Sequence, residues 1–103
     1  MLRIIAGALL LTTATVAAAA DGAAVYKAQC AKCHGDTGHA DTAVGKALKV
    51  PALAGDANVA AMADADVVTK IKTNAKHQAF IKSVSDDDVS AVAKYVKQLA
   101  AAK

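Results

Sequence analysis

The chain has 103 residues, enough for one small domain. Hydrophobic residues make up 55% of it but aromatic residues only 3%, so its core would consist mainly of small side chains, and a bound cofactor could add stability without being required. The formal net charge of +3, with a single Arg, does not provide the basic face of a nucleic-acid-binding protein, and we expect no nucleic-acid partner.

Residues 1–20 predict a secretory signal peptide. A basic start at Arg3 is followed by an apolar run over residues 4–11 and by an Ala-x-Ala ending at Ala18 to Ala20. The strongly apolar run is shorter than the ~20 residues that a membrane span needs. We therefore expect cleavage after Ala20, a mature periplasmic domain of residues 21–103, and no stable membrane insertion.

The mature chain begins with a predicted helix that leads into a cysteine motif. Ala23, Tyr26, Cys30 and Cys33 recur at helical spacing, and Asp21 is placed to cap the helix at its N-terminus.

The motif is Cys30-Ala31-Lys32-Cys33-His34. A redox-active disulfide is one interpretation, but no βαβ pattern surrounds the pair. A zinc site is another, but it needs about four ligands, and no second close pair is present. The pattern C-x-x-C-H is typical of c-type haem attachment. Residues three apart share a helical face, so Cys30 and Cys33 could bond to two neighbouring vinyl groups while His34 ligates the iron. The motif therefore predicts one covalently attached haem c.

The remaining residues read as helices and loops. Residues 35–55 contain four glycines and the only proline, which predicts mainly loop. Residues 64–73 predict a short helix with Asp64 as its cap. Ser85 is placed to cap a last helix, whose apolar stripe runs through residues 89–100. No segment predicts a strand, so the fold class is all-α.

With its motif, its first helix, the Pro51 segment and the last helix, the mature chain resembles bacterial class I (mitochondrial-like) cytochrome c domains. The resemblance implies a small fold of three main helices and loops wrapped around one covalent haem, and electron transfer with redox partner proteins. It also implies a hydrogen bond from His34 to the Pro51 carbonyl, and a contact between Tyr95 of the last helix and the first helix.

The chain departs from this family at the sixth iron ligand. Class I members usually supply a Met from the loop before the last helix, but this loop contains none. His77 lies eighteen residues before Tyr95 and three before Phe80, which is the spacing of the family's Met. We predict His77 as the second metal ligand beside His34. Met62, His39 and an open or water-filled site are the alternatives.

Bis-histidine ligation predicts a lower potential than His/Met ligation, because imidazole donates more strongly to ferric iron. A six-coordinate iron has no vacant position for a substrate, which favours an electron carrier over an enzyme. We also expect the protein to be a monomer. The alternative is a haem-based small-ligand sensor or a peroxidase-like protein with a displaceable distal ligand. Four lysines near the motif and the distal loop could steer an acidic redox partner or could simply be solvated: Lys27, Lys32, Lys76 and Lys82.

Overall fold

The structure, a computed structural model, describes residues 20–102 together with Gly7. Apart from Gly7 and Ala20, the predicted signal peptide lies outside the described residues, and its cleavage stays a prediction. Within the described part of the chain, no helix combines the length and the apolar character needed to cross a membrane.

Residues 20–102 form helices and loops, without a strand, which confirms the all-α prediction. This part of the chain contains six α-helices: α1 (Gly22–Gln29), α2 (Ala31–His34), α3 (Ala43–Ala47), α4 (Ala57–Ala61), α5 (Asp64–Thr73) and α6 (Asp86–Ala101). Two short 3-10 helices, Ala75–His77 and Ile81–Ser83, lie between α5 and α6. The three longest helices, α1, α5 and α6, are the ones that the sequence predicts.

The first and last helices begin at the N-cap residues that the sequence predicts. The Asp21 carboxylate accepts hydrogen bonds from the backbone N–H groups of Ala23 and Ala24, at 3.0 and 3.3 Å. Ser85 Oγ accepts one from the N–H of Asp88, at 3.2 Å. Each cap satisfies donors that the first helical turn leaves without a partner.

The prediction that Asp64 caps α5 is wrong. The N-cap is Ala63, which makes no side-chain cap bond, and Asp64 is the first residue of the helix. Its carboxylate instead accepts a 2.9 Å hydrogen bond from Lys97 of α6, and this contact holds the pKa of Asp64 below its ordinary value. A second ion pair, Lys72 with Asp86, also links α5 to α6.

The core centres on the packing of α1 against α6. Tyr26 of α1 is 1% exposed, and its ring centroid lies 5.2 Å from that of Tyr95, which confirms the predicted contact. The helices approach so closely at Gly22 that a Cβ there would lie 2.4 Å from the Ala91 carbonyl oxygen. The Tyr26 hydroxyl donates a buried 2.6 Å hydrogen bond to the Gly35 carbonyl, which ties α1 to the residue after the cysteine motif.

Residues 35–55 are mainly loop, as predicted, but they include the short helix α3. Thr42 caps this helix, since its Oγ1 accepts from the N–H of Gly45 at 2.9 Å. The same hydroxyl donates to the Lys32 carbonyl of α2 at 2.7 Å. Gly45 lies directly against α2, where a Cβ would come within 2.2 Å of the Cys33 carbonyl oxygen. Helix α3 therefore packs against α2, the helix that carries Cys33 and His34 of the motif.

Candidate cofactor site

A cavity of about 330 Å³ opens between the cysteine motif and the segment that follows α5. Its size falls in the range of pockets that enclose small molecules and cofactors, about 300–1,000 Å³. The lining is mostly apolar and comes from the loop after α3, from helices α4, α5 and α6, and from the segment between α5 and α6: Leu48, Val50, Pro51, Leu53, Val59, Met62, Val67, Ile71, Phe80 and Val96. The motif residues Cys30, Cys33 and His34 line this cavity together with His77, and the rings of His34 and His77 lie near each other.

Cys30 and Cys33 both line the cavity as free, half-buried thiols. Cys30 marks the junction of α1 and α2, and Cys33 lies in α2. Burial, with a smaller contribution from Cys33, raises the pKa of Cys30 to about 11, so this thiol is uncharged at neutral pH. In residues 20–102 no three His, Cys, Asp or Glu side chains are grouped so that they could hold a metal ion by themselves.

His34 is the last residue of α2, which ends at Gly35 with φ +79°. Burial is the main cause that lowers the pKa of His34, and His77 lowers it further. The imidazole is therefore neutral near pH 7, the form that ligates metals. The Pro51 backbone partly offsets this shift, yet His34 Nδ1 is buried without a hydrogen-bond partner of standard length and angle. Pro51 thus lies where the resemblance implies, but the bond itself stays a prediction.

His77 ends the first 3-10 helix and is half-buried. Its Nδ1 lies 2.6 Å from the Ile71 carbonyl oxygen of α5. Because a carbonyl only accepts, Nδ1 donates this hydrogen bond, and Nε2 is the ring nitrogen left to ligate a metal. Phe80 packs beside the imidazole, with ring centroids 5.5 Å apart.

The rings of His34 and His77 lie 6.3 Å apart, centroid to centroid, at an interplanar angle of 67°. A metal–nitrogen bond is about 2.0 Å and a ring nitrogen lies about 1.2 Å from its centroid, so two imidazoles on opposite sides of one ion have centroids about 6.4 Å apart. The observed separation fits a single metal ion between the two histidines. With two thiols beside them and an apolar lining around them, these residues fit a covalently attached haem.

The two alternative ligands differ in position. His39 is exposed and does not line the cavity, and its Nδ1 pairs with Thr37 Oγ1 at 2.7 Å. Met62, at the end of α4, packs against the core and also lines the cavity. The structure therefore brings His77 and Met62 to the site and leaves His39 outside it.

The four lysines near the motif and the distal loop are exposed, but they differ in their relation to the cavity. Lys76 lines it and donates a 2.7 Å hydrogen bond to the Leu48 carbonyl, which links the distal segment to the loop after α3. Lys70 of α5 also lines the cavity, although the sequence did not single it out.

The backbone carbonyls of Leu48 and Ile71, which accept the hydrogen bonds from Lys76 and His77, could not be predicted from the sequence, because every residue has a carbonyl.

The family model that describes cytochrome c oxidase, cbb3-type, subunit III matches residues 17–96. Searches of curated proteins and of solved structures found no match. The family's cofactor is an iron-containing haem c, covalently bound, and the cavity and its donor residues fit that group. Because the match covers most of the chain, the protein belongs to this family and is a class I c-type cytochrome, a haem-based electron carrier.

Proposed function

We propose that this protein is a periplasmic, monomeric one-electron carrier of low potential. Its single haem is attached through Cys30 and Cys33 and ligated by His34 and His77. The observation that carries the proposal is the pair of facing imidazoles, 6.3 Å apart, in a mostly apolar cavity beside the two thiols. Periplasmic location is supported by the signal peptide predicted over residues 1–20.

Haem iron supplies one-electron exchange between its ferric and ferrous states. The protein's part is to hold two imidazoles that face each other and to exclude water with the apolar lining. The bond from His77 Nδ1 to the Ile71 carbonyl makes this imidazole a stronger donor, which favours the ferric state and lowers the potential. With His34 and His77 both bound to the iron, no position would remain for a substrate, which supports a carrier over the sensor or peroxidase-like alternative.

Electron paramagnetic resonance of the ferric protein tests the ligation. We expect a low-spin spectrum of the bis-histidine type, and a ferrous protein whose visible spectrum changes only slowly under carbon monoxide. A high-spin ferric signal with rapid carbon monoxide binding would contradict the proposal and favour the small-ligand sensor. A low-spin spectrum of the His/Met type would indicate that the sixth ligand is Met62, which lines the same cavity.

Replacing both motif cysteines, Cys30→Ala with Cys33→Ala, should abolish covalent haem attachment. Each thiol is expected to provide one thioether bond, so either single variant should keep some haem on the polypeptide and the double variant none. The measurement is haem staining of the protein after denaturing electrophoresis, with total protein as the reference. Haem that stays with the double variant would show that the attachment lies elsewhere.

The lysines support docking to an acidic redox partner. Lys70 and Lys76 lie at the cavity, where an incoming partner would come nearest to the haem. Charge complementarity at such a site speeds association more than it tightens binding, and salt weakens it.

A further inference from the structure

The C-terminal end of α5 is capped by side chains from the turn that carries His77. The last carbonyl groups of a helix have no partner within the helix. Here His77 Nδ1 bonds to the Ile71 carbonyl at 2.6 Å. Gln78 Nε2 donates to the carbonyls of Lys72 and Asn74, at 2.8 and 3.0 Å. Two consecutive side chains thus satisfy three carbonyl groups at the end of one helix.

Gln78 makes these bonds from the protein surface. Its side chain is exposed and does not line the cavity, so its contacts add neither to the core nor to the apolar wall of the site. Its two acceptors lie four and six residues before it, and therefore hold residue 78 against the helix end. That end is itself tied to α6, because the side chain of Lys72 pairs with Asp86.

The backbone of the turn depends on the same small set of acceptors. The N–H of His77 donates to the Asn74 carbonyl at 3.0 Å, and Asn74 Oδ1 accepts from the N–H of Lys76 at 2.9 Å. Gln78 adds a side-chain bond to that Asn74 carbonyl and continues to Lys72. Without Gln78, the turn would be joined to the body of α5 mainly through His77 itself.

We propose that Gln78 is a positioning residue for the sixth iron ligand: its side-chain amide holds the turn of residues 74–78 on the end of α5 and thereby keeps His77 in the cavity. The proposal rests on the proposed function, since it requires His77 to be a ligand. Gln78 acts through His77 and does not touch the haem site.

Carbon monoxide gives a direct measure of this role, because it binds the ferrous protein only as fast as the distal ligand leaves. Gln78→Ala removes both side-chain hydrogen bonds, and we expect carbon monoxide to bind about tenfold faster. Gln78→Glu keeps nearly the same shape, but an ionised carboxylate has no proton to donate and faces two carbonyl oxygens. We expect it to accelerate binding at least as much as Gln78→Ala does.

The matched control is Gln98→Ala, which removes an exposed Gln side chain from α6, outside the haem cavity. All variants are compared as haem-loaded protein by carbon monoxide binding rate, ferric paramagnetic resonance and thermal unfolding. Faster binding in both Gln78 variants, with an altered low-spin spectrum and an unchanged control, is the expected result. Lower thermal stability without faster binding would make Gln78 an ordinary structural residue and would overturn the proposal.

The same experiment separates this proposal from the one on which it rests. A high-spin ferric signal in the unaltered protein overturns both, because His77 is then not a ligand. If the unaltered protein gives a bis-histidine signal and the Gln78 variants bind carbon monoxide at the same rate as the unaltered protein, only the role of Gln78 is overturned.

Discussion

Replacing His77 with Met raises the midpoint potential of the haem, by an amount on the order of 100 mV. Thioether sulfur favours ferrous iron, whereas imidazole donates more strongly to ferric iron. The exchange also removes the hydrogen bond from His77 to the Ile71 carbonyl. In the unaltered protein this bond makes the imidazole a stronger donor to the metal, so its loss also raises the potential. Potentiometric titration of the haem-loaded protein, followed by visible absorption, gives the value.

The chain offers a matched control for this prediction. His39→Met makes the same exchange at an exposed histidine outside the cavity, and the potential should not move. An unchanged potential and spectrum in His77→Met would remove His77 as the ligand. A large change in Met62→Leu would then assign the sixth position to Met62.

Replacing Gly45 with Ala lowers the free energy of unfolding by about 2 kcal/mol, as overpacking of a closely packed site does. Intrinsic helix propensity alone predicts the opposite sign, because Ala favours a helix over Gly by about 1 kcal/mol. The new Cβ would meet the Cys33 carbonyl oxygen at 2.2 Å and Thr42 Oγ1 at 3.0 Å. The first is a backbone atom, so α3 must move away from α2.

Denaturant unfolding of the haem-loaded protein measures this effect, with Ala47→Ser as the control on an exposed position of the same helix. The control should stay within about 0.5 kcal/mol of the unaltered protein. Equal or greater stability in Gly45→Ala would show that α3 and α2 are less closely packed than the structure has them.

Apolar residues at helical spacing predicted the main helices, and the spacing to residues of the last helix predicted the position of the distal residue. The apolar stripe of α6 and the caps at Asp21 and Ser85 were sufficient because each acts within one helix. Spacing to Tyr95 and Phe80 pointed to His77, and the structure places His77 in the cavity, facing His34. Ligation by this pair stays a proposal.

The short helices α3 and α4 were not predicted, because five residues carry too little apolar periodicity to stand out. Both have cap residues that could have indicated them. Thr42 caps α3, and the Asp56 carboxylate accepts from the N–H groups of Asn58 and Val59 at the start of α4. No sequence pattern could identify the hydrogen-bond acceptor of His77, because the backbone carbonyl of Ile71 is chemically the same as that of any other residue.

The packing of α1 against α6 has a consequence for the order of events during biogenesis. The Tyr26 ring and Gly22 pack against residues of α6, the last helix, and four α-helices lie between α1 and α6. Bringing together two segments that are distant in sequence costs loop-closure entropy, which slows the formation of their contacts. Cys30 and Cys33 follow α1 directly, so we expect the segment that carries the two thiols to be enclosed only once α6 packs against α1.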